Sequence, residues 1–473
     1  MRRNRKAKII VTLGPSTSNF KSVKKLFDNG ADVFRLNFSH DTKETHIKRF
    51  KDIRNLEKKV NKPIGILMDL QGPKLRVGKF EENSVFLKQG KKFVFDSNPF
   101  PGNKFRVNLP HEEIFKKIKK GNKILIDDGK LTLVVTKVNG FFIETKVKFG
   151  GIISNNKGFN IPSLISTTNS LTKKDRMDLK LALKLGVDWI ALSFVQSAND
   201  VKNIKKIVKD KAFIITKIEK PKALKNLNEI INISDAIMIA RGDLGVEAPL
   251  ERLPSEQKRI ITACRQAGKP VVVATQMLDS MVNYPTPTRA EASDVATAIY
   301  DGADAVMLSA ETAIGNYPNE SIKMMNNIIT EVEKDPLYLS INEASHVKAE
   351  STAEDAITES AKYVARIMSA KAVVTYTTSG STALRAARER PDVPIMGISP
   401  NLSTARRLSL VWGVHCIFTS DATSFKDMVL KAGRLAKKEK FARKGDRVVI
   451  TAGVPFGHSG ATNVLRIASV DRY

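Results

Sequence analysis

Ala236-Ile237-Met238-Ile239-Ala240-Arg241-Gly242-Asp243 is a run of small and apolar residues that gives way, without a break, to a cation, a glycine and a carboxylate. Such an uninterrupted apolar run fits a strand buried on both faces, as in a parallel sheet. Seven more runs of this kind flank it: Lys8 to Gly14, Asp32 to Ser39, Ile64 to Gln71, Trp189 to Val195, Phe213 to Glu219, Val271 to Leu278 and Ala305 to Glu311. Helical patterns of about ten to twenty residues separate most of them, the signature of βα units. Eight parallel strands with intervening helices close most naturally into a (β/α)₈ barrel, the TIM-barrel form of an α/β fold.

One gap is anomalous. Between the third and fourth runs lie more than a hundred residues with Gly-rich turns and alternating strands at Lys123 to Ile126, Leu131 to Val138 and Phe142 to Val147. This predicts an inserted, β-barrel-like domain over residues 73–162, hung over the barrel mouth from Pro73 and Pro162. The barrel then comprises residues 1–72 and 163–335, resuming at a helix capped by Thr172. After Asp335-Pro336 a polar linker leads to a separate C-terminal α/β domain, 350–473, with strands expected at Ala372 to Tyr376, Ile395 to Ile398 and Arg447 to Thr451 in a mostly parallel sheet.

Composition narrows the class. The 473 residues are 42% apolar, enough for several cores, and the longest apolar stretches are strand-sized, so no membrane span is expected. The basic start at Met1 to Lys8 precedes an apolar run that Gly14-Pro15 cuts too short for a signal peptide. Cys264 and Cys416 are far apart with no metal-binding spacing, which fits a reducing cytoplasm. Lys plus Arg exceed Asp plus Glu by 78 to 49, a net +29 that attracts anionic metabolites. The lysines are scattered over helical faces without a nucleic-acid-binding motif, so a solvated basic surface is expected rather than a nucleic-acid partner.

Barrel enzymes carry their chemistry at the C-terminal ends of strands. Here those ends read Arg35-Leu36-Asn37-Phe38-Ser39-His40, Asp69, Ser193-Phe194, Thr216-Lys217-Ile218-Glu219, Arg241-Gly242-Asp243, Thr275-Gln276 and Ser309-Ala310-Glu311. The two-residue strand period puts Arg35, Asn37 and Ser39 on one face, and likewise Lys217 and Glu219. Two carboxylates, Glu219 and Asp243, with two cations, Arg35 and Lys217, suit Mg²⁺ or Mn²⁺ beside an anionic substrate. Phosphoryl transfer needs this combination, because its catalysis is chiefly positioning and charge stabilisation.

The segments Arg35 to His40, Asp69 to Arg76, Lys217 to Glu219, Ala240 to Glu247, Ala274 to Met281 and Leu308 to Ala313 resemble the pyruvate kinase family, and the match runs from Ile9 to the end. The resemblance implies phosphoryl transfer from phosphoenolpyruvate to ADP, giving pyruvate and ATP. It implies Glu219 and Asp243 as divalent-metal ligands and Lys217 as stabiliser of the phosphoryl group. Arg35 would clamp the phosphate, the Gly242 amide would meet the substrate carboxylate, and Thr275 would sit over the protonated enolate face. Ser193, Arg76 and Glu311 would support these groups, and a water relayed through Thr275 and Ser309 would deliver the proton. Asn37, His40, Arg76 and Lys157, the last in a stretch similar to the family's lid, would meet the nucleotide. A homotetramer is likewise implied.

Two features point further. Many relatives bind K⁺ through residues matching Asn37, Ser39, Asp69 and the Leu70 carbonyl, beside a glutamate; this chain has Lys74 at that glutamate's position, so K⁺ is expected not to be required. Thr377, Thr378, Ser379, Gly380, Ser381 and Thr382 open a helix after a strand, and Gly457 and Gly460 lie in the glycine-rich loop from Gly453 to Asn463. The first is a plausible phosphate cradle, and because family members use the corresponding pair of segments to bind a sugar-phosphate activator, the resemblance implies an effector site here for a sugar phosphate or nucleotide. A lyase or mutase acting on an enolpyruvate would share the carboxylates and arginine but lack a nucleotide lid. A retired, polyanion-binding protein would not need the full set of strand-end polar groups.

Overall fold

The computed structural model describes residues 2–162, 170–455 and 462–471. Eight parallel strands close into a barrel: β1 (Lys8–Leu13), β2 (Val33–Asn37), β3 (Gly65–Asp69), β4 (Trp189–Leu192), β5 (Phe213–Ile218), β6 (Ala236–Ala240), β7 (Val271–Ala274) and β8 (Ala305–Leu308). Each pairs with its sequence neighbours, and β8 returns to β1 through Lys8↔Ala305 to Val11↔Leu308. Ile10, Val33, Leu67, Trp189, Ala191, Ile215, Met238, Val272 and Met307 fill the interior. Alternate residues such as Ile9, Val11, Ile66, Ile190 and Ile237 belong to the larger core formed with the surrounding helices. Because both strand faces are covered, the sequence shows continuous apolar runs rather than alternation.

The strands are shorter than their apolar runs suggested, and the polar residues after them belong to turns and short helices. Arg241-Gly242-Asp243 opens the helix Arg241–Glu247, and Ser39 lies in a turn beyond β2.

Between β3 and β4 the inserted segment forms a six-stranded sheet and a two-stranded ladder of Ser84–Leu87 with Gly151–Ser154. Leu87, Phe93, Phe95, Ile153 and Phe159 close one apolar core between them. Its root is tightly built. Gly72 has φ of +67°, and a Cβ there would stand 2.7 Å from the Phe194 ring, so only glycine fits. Its amide donates to Asp175 Oδ1 at 3.1 Å, and Asp175 also completes the capping box with Thr172 that starts helix Lys173–Leu185.

The expected polar linker after Asp335 begins with a helix, Pro336–Ala344, capped by Asp335, and only residues 346–352 are irregular. Its buried Tyr338 accepts a hydrogen bond from Trp412 Nε1 at 3.2 Å, which ties it to the C-terminal sheet region. That sheet has the order Val414–Phe418, Ile395–Ser399, Val373–Tyr376, Arg447–Ala452, Val464–Ser469, parallel except for the last strand. It docks under the N-terminal ends of the barrel, where Leu410 enters the interior cluster and Arg406 pairs with Glu57. Among the described residues no helix is long and apolar enough to cross a membrane.

Candidate active site

The inward face of each strand runs from apolar residues below to polar ones at the mouth. Ile10 is followed two residues later by Thr12, Val33 by Arg35 and Asn37, Leu67 by Asp69, Ala191 by Ser193, Ile215 by Lys217 and Glu219, and Met307 by Ser309. The two-residue period that packs the interior thus aims the polar groups into one space.

Asp69 is the hub. Its buried carboxylate accepts from Arg35 Nε at 2.8 Å and lies 3.4 Å from Lys217 Nζ. Burial alone would raise its pKa, but the charges of Lys217 and Arg35 outweigh that and hold it low. Thr12 Oγ1 accepts from Arg35 Nη1 at 3.0 Å and completes the seat of the guanidinium. Lys217 Nζ donates to Ser193 Oγ at 2.9 Å and stands 2.8 Å from Glu219 Oε1. Burial works against the ammonium, yet Asp69 and Glu219 together raise its pKa, so it stays charged. Ser193 in turn donates to the Leu70 carbonyl at 2.8 Å.

Glu219 is fully buried. Its Oε2 accepts the Phe194 amide at 2.6 Å, while Oε1, although close to Lys217, makes no hydrogen bond of good geometry. Burial pushes this carboxyl up; Lys217 opposes the shift and Asp243 adds to it. A buried carboxylate oxygen that Lys217 approaches at 2.8 Å without a well-formed hydrogen bond, with Asp243 close enough to act on its charge, is a position suited to a hard cation. Among the described residues no cluster of three or more His, Cys, Asp or Glu is spaced for a metal. An ion here would therefore complete its shell with substrate oxygens and water, which is the habit of Mg²⁺.

Lys74 Nζ lies 3.0 Å from Asp243 Oδ1. Sequence reading set Lys74 beside Asn37, Ser39, Asp69 and Leu70; the hydrogen bond it makes is to Asp243. Asn37 Oδ1 accepts the Ser39 amide at 3.2 Å. The Gly242 amide, expected to point at a substrate carboxylate, donates to Thr275 Oγ1 at 2.8 Å, and Thr275 donates to the Ala274 carbonyl at 2.6 Å. Thr275 and Gln276 have φ of +72° and +53°, which is strained for side-chain-bearing residues. Arg241, whose role sequence reading missed, holds that strained loop: it donates to the Thr275 carbonyl at 2.9 Å and pairs with Asp294 at 2.6 Å. Glu311 accepts the Ser309 and Leu278 amides, so it braces two loops from a buried position.

In the inserted segment Lys157 Nζ pairs with Asp127 at 2.8 Å, and Arg76 Nη1 donates to the Asn156 carbonyl at 2.9 Å. Desolvation, then the charges of Arg76, Arg35 and Lys74, lower the His40 pKa against the pull of Asp41. In the C-terminal domain the expected strand-to-helix turn is present: Val373–Tyr376 precedes helix Ser381–Arg388, and the Gly380 amide donates to Thr377 Oγ1 at 2.9 Å. Gly457 and Gly460 lie outside the described residues.

The family model described as the pyruvate kinase barrel domain matches residues 4–322, and that for the pyruvate kinase alpha/beta domain matches residues 355–468. The chain belongs to the pyruvate kinase family. A pyruvate kinase from Methylorubrum extorquens is 52% identical over 472 residues, covering 100% of this chain and 99% of its own length. One from Agrobacterium vitis is 47% identical over 468 residues, with 99% of both chains covered. The crystal structure of a pyruvate kinase from Cryptosporidium parvum has a TM-score of 0.91 at 35% identity, covering 98% of this chain and 96% of that one. Pyruvate kinase membership accounts for the barrel, the C-terminal α/β domain and the run of polar groups at the mouth together.

Proposed function

We propose that the chain transfers the phosphoryl group of phosphoenolpyruvate to ADP, forming pyruvate and ATP. The observation that carries this reading is Lys217, a buried ammonium set between Asp69 and Glu219 and kept charged by both. A fixed positive charge in a site screened from water stabilises the negative charge of a phosphoryl group in flight without reorganising at the moment of transfer.

Glu219 and Asp243 would hold Mg²⁺ or Mn²⁺. When bound, the ion supplies charge neutralisation at the transferring group and the developing enolate. Arg35, locked by Asp69 and Thr12, offers its guanidinium to the substrate phosphate. The Thr275 hydroxyl spends its proton on the Ala274 carbonyl and accepts from Gly242, which leaves a lone pair free for a water. A water held between Thr275 and Ser309 would then protonate the enolate. Asn37, His40, Arg76 and Lys157 would meet the nucleotide, and the inserted domain would act as a lid that excludes water.

Lys74 supports activity without K⁺, since it brings a tethered positive charge to the site. The Thr377–Thr382 turn supports an allosteric site for a sugar phosphate or nucleotide; steady-state kinetics across a panel of such effectors tests it, and unchanged phosphoenolpyruvate saturation would remove it. A homotetramer in the cytoplasm completes the proposal. The experiment for the reaction is a coupled assay of pyruvate and ATP formation with Mg²⁺ and no K⁺, on wild type and Lys217→Met. Turnover that collapses in the variant is expected; no turnover even with K⁺ and effectors would bring the lyase and binding readings forward.

A further inference from the structure

The two chain segments that join the inserted domain to the barrel are paired with each other. Arg76 and Gly158 form an antiparallel bridge, Val77 N donates to the Lys157 carbonyl at 3.0 Å, and Phe159 N donates to the Leu75 carbonyl at 3.0 Å. Two hydrogen-bonded segments of this kind move together. Both also grip the same short helix, Arg241–Glu247. On the outgoing segment Lys74 Nζ meets Asp243 Oδ1 at 3.0 Å; on the returning one Asn160 Nδ2 donates to Glu247 Oε1 at 2.8 Å. Asp243 and Glu247 are four residues apart, so they stand on one face of the helix, a turn from each other.

Glu247 has a second partner. Lys220 Nζ donates to the same Oε1 at 2.6 Å, and Lys220 directly follows Glu219. The Glu247 and Asn160 side chains are buried, with relative exposures of 6% and 8% for the two residues. A solvated surface pair of this kind would contribute almost nothing, whereas removing one partner from a buried cluster leaves the others unsatisfied. The Lys220 ammonium also lies 5.3 Å from the centre of the Phe194 ring, the same ring that excludes any side chain at Gly72.

We infer that Glu247 is a positioning residue that clasps the inserted domain to the barrel mouth. The inference rests on the proposed lid role of that domain. The two grips on the helix differ in kind. Asp243 is a carboxylate suited to the metal, so the Lys74 grip is exchangeable. Glu247 is committed to Asn160 and Lys220, so its grip persists. The crease between the two tethers keeps a cavity of about 50 Å³, room for a water or two, lined by Lys74, Asn160, Lys220 and Glu247. The hinge also carries Arg76 and Lys157, while Arg35, Lys217, Glu219 and Thr275 are fixed on the barrel. A disturbed clasp therefore misplaces the nucleotide cations and leaves the phosphoenolpyruvate groups where they were.

The test is a donor–acceptor swap in the full-length enzyme. Asn160→Asp sets two carboxylates against each other. Adding Glu247→Gln reverses the pair, so that the helix side donates and the hinge side accepts. Kinetics are read beside hydrogen exchange of residues 73–77 and 157–161, with and without ADP and Mg²⁺. Asn160→Asp is expected to raise KM for ADP about tenfold, to leave KM for phosphoenolpyruvate within about twofold, and to speed hinge exchange; the double variant returns ADP KM to within about threefold of wild type. A double variant no better than the single one, or an Asn160→Asp variant like wild type in both readouts, overturns the clasp. A wild type whose hinge exchange ignores ADP overturns the lid reading itself, and the clasp with it.

Discussion

Lys74 Nζ stands 3.0 Å from Asp243 Oδ1, so a cation built into the chain already touches a carboxylate that a divalent metal would take. Two consequences follow with opposite signs. A tethered ammonium supplies positive charge that a mobile monovalent ion would otherwise bring, so adding K⁺ to wild type in K⁺-free, Na⁺-free buffer is expected to change turnover less than about twofold. The same ammonium competes with the divalent ion. Lys74→Glu should therefore depend on K⁺ for activity, while Lys74→Met should reach half-maximal activity at roughly three- to tenfold lower Mg²⁺. Wild type that is silent until K⁺ is added would end this account.

Asp69 orients two cations at once, and its loss should be felt in both. Asp69→Asn keeps the shape but removes the charge that seats Arg35 and helps keep Lys217 protonated. We expect weaker phosphoenolpyruvate saturation together with a drop in kcat. Lys217→Met removes the stabilising charge itself and should lower kcat by about a hundred- to a thousandfold or more, with ADP saturation little altered. Comparing kcat and both KM values across the two variants separates orientation from charge.

The strained loop after β7 offers a stability test free of the chemistry. Gln276 is exposed and has φ of +53°. A side chain in this region costs about 1–2 kcal/mol, and glycine gives back about 0.5–1 kcal/mol of that in unfolded-state entropy. Gln276→Gly should raise stability by about 0.5–1 kcal/mol, and Gln276→Val should lower it, as read from denaturant midpoints. If both variants shift the midpoint the same way, the strain at this residue is not what the backbone implies.

The barrel could be read from the sequence because its strands are buried on both faces, which leaves unbroken apolar runs. The site residues could be read because the period of two carries the inner face into polar residues at Arg35, Asp69 and Lys217. What escaped was set by other rules. The edge strands Val414–Phe418 and Val464–Ser469 carry partly exposed residues such as His415 and Arg466, so they lack the buried-strand pattern. The helical start at Arg241 follows a strand directly, and nothing in Arg-Gly-Asp marks where one ends. The partners of Lys74, Asn160 and Lys220 lie far away in sequence, on one helix, and local pattern carries no information on such pairings. Thr12 was overlooked for a different reason: a lone threonine in an apolar strand looks like core until the hydrogen bond from Arg35 is seen.

His46 gives a pH dependence whose sign follows from its setting. Its ring stacks on Phe38 at 4.0 Å, and Nε2 must carry the proton, because it faces the His40 carbonyl at 2.9 Å and a carbonyl only accepts. Nδ1 is buried without a partner. Protonation would put a second N–H where nothing receives it. Burial is the main cause that lowers the His46 pKa; the His40 carbonyl, Asp41 and Asp178 oppose it and Arg49 adds to it. The unfolded chain takes up the proton near pH 6.5, while the folded chain resists until lower pH. Stability from this residue is therefore complete above about pH 6.5 and falls as the pH drops toward the folded value. Other histidines lowered by burial, among them His111, act in the same direction, so the residue must be isolated by difference. His46→Phe should be less stable than wild type at pH 7.5, through loss of the hydrogen bond, and the gap should narrow or reverse at pH 5.5 in urea midpoints. A gap that is constant across that range would show that His46 does not titrate as its surroundings require.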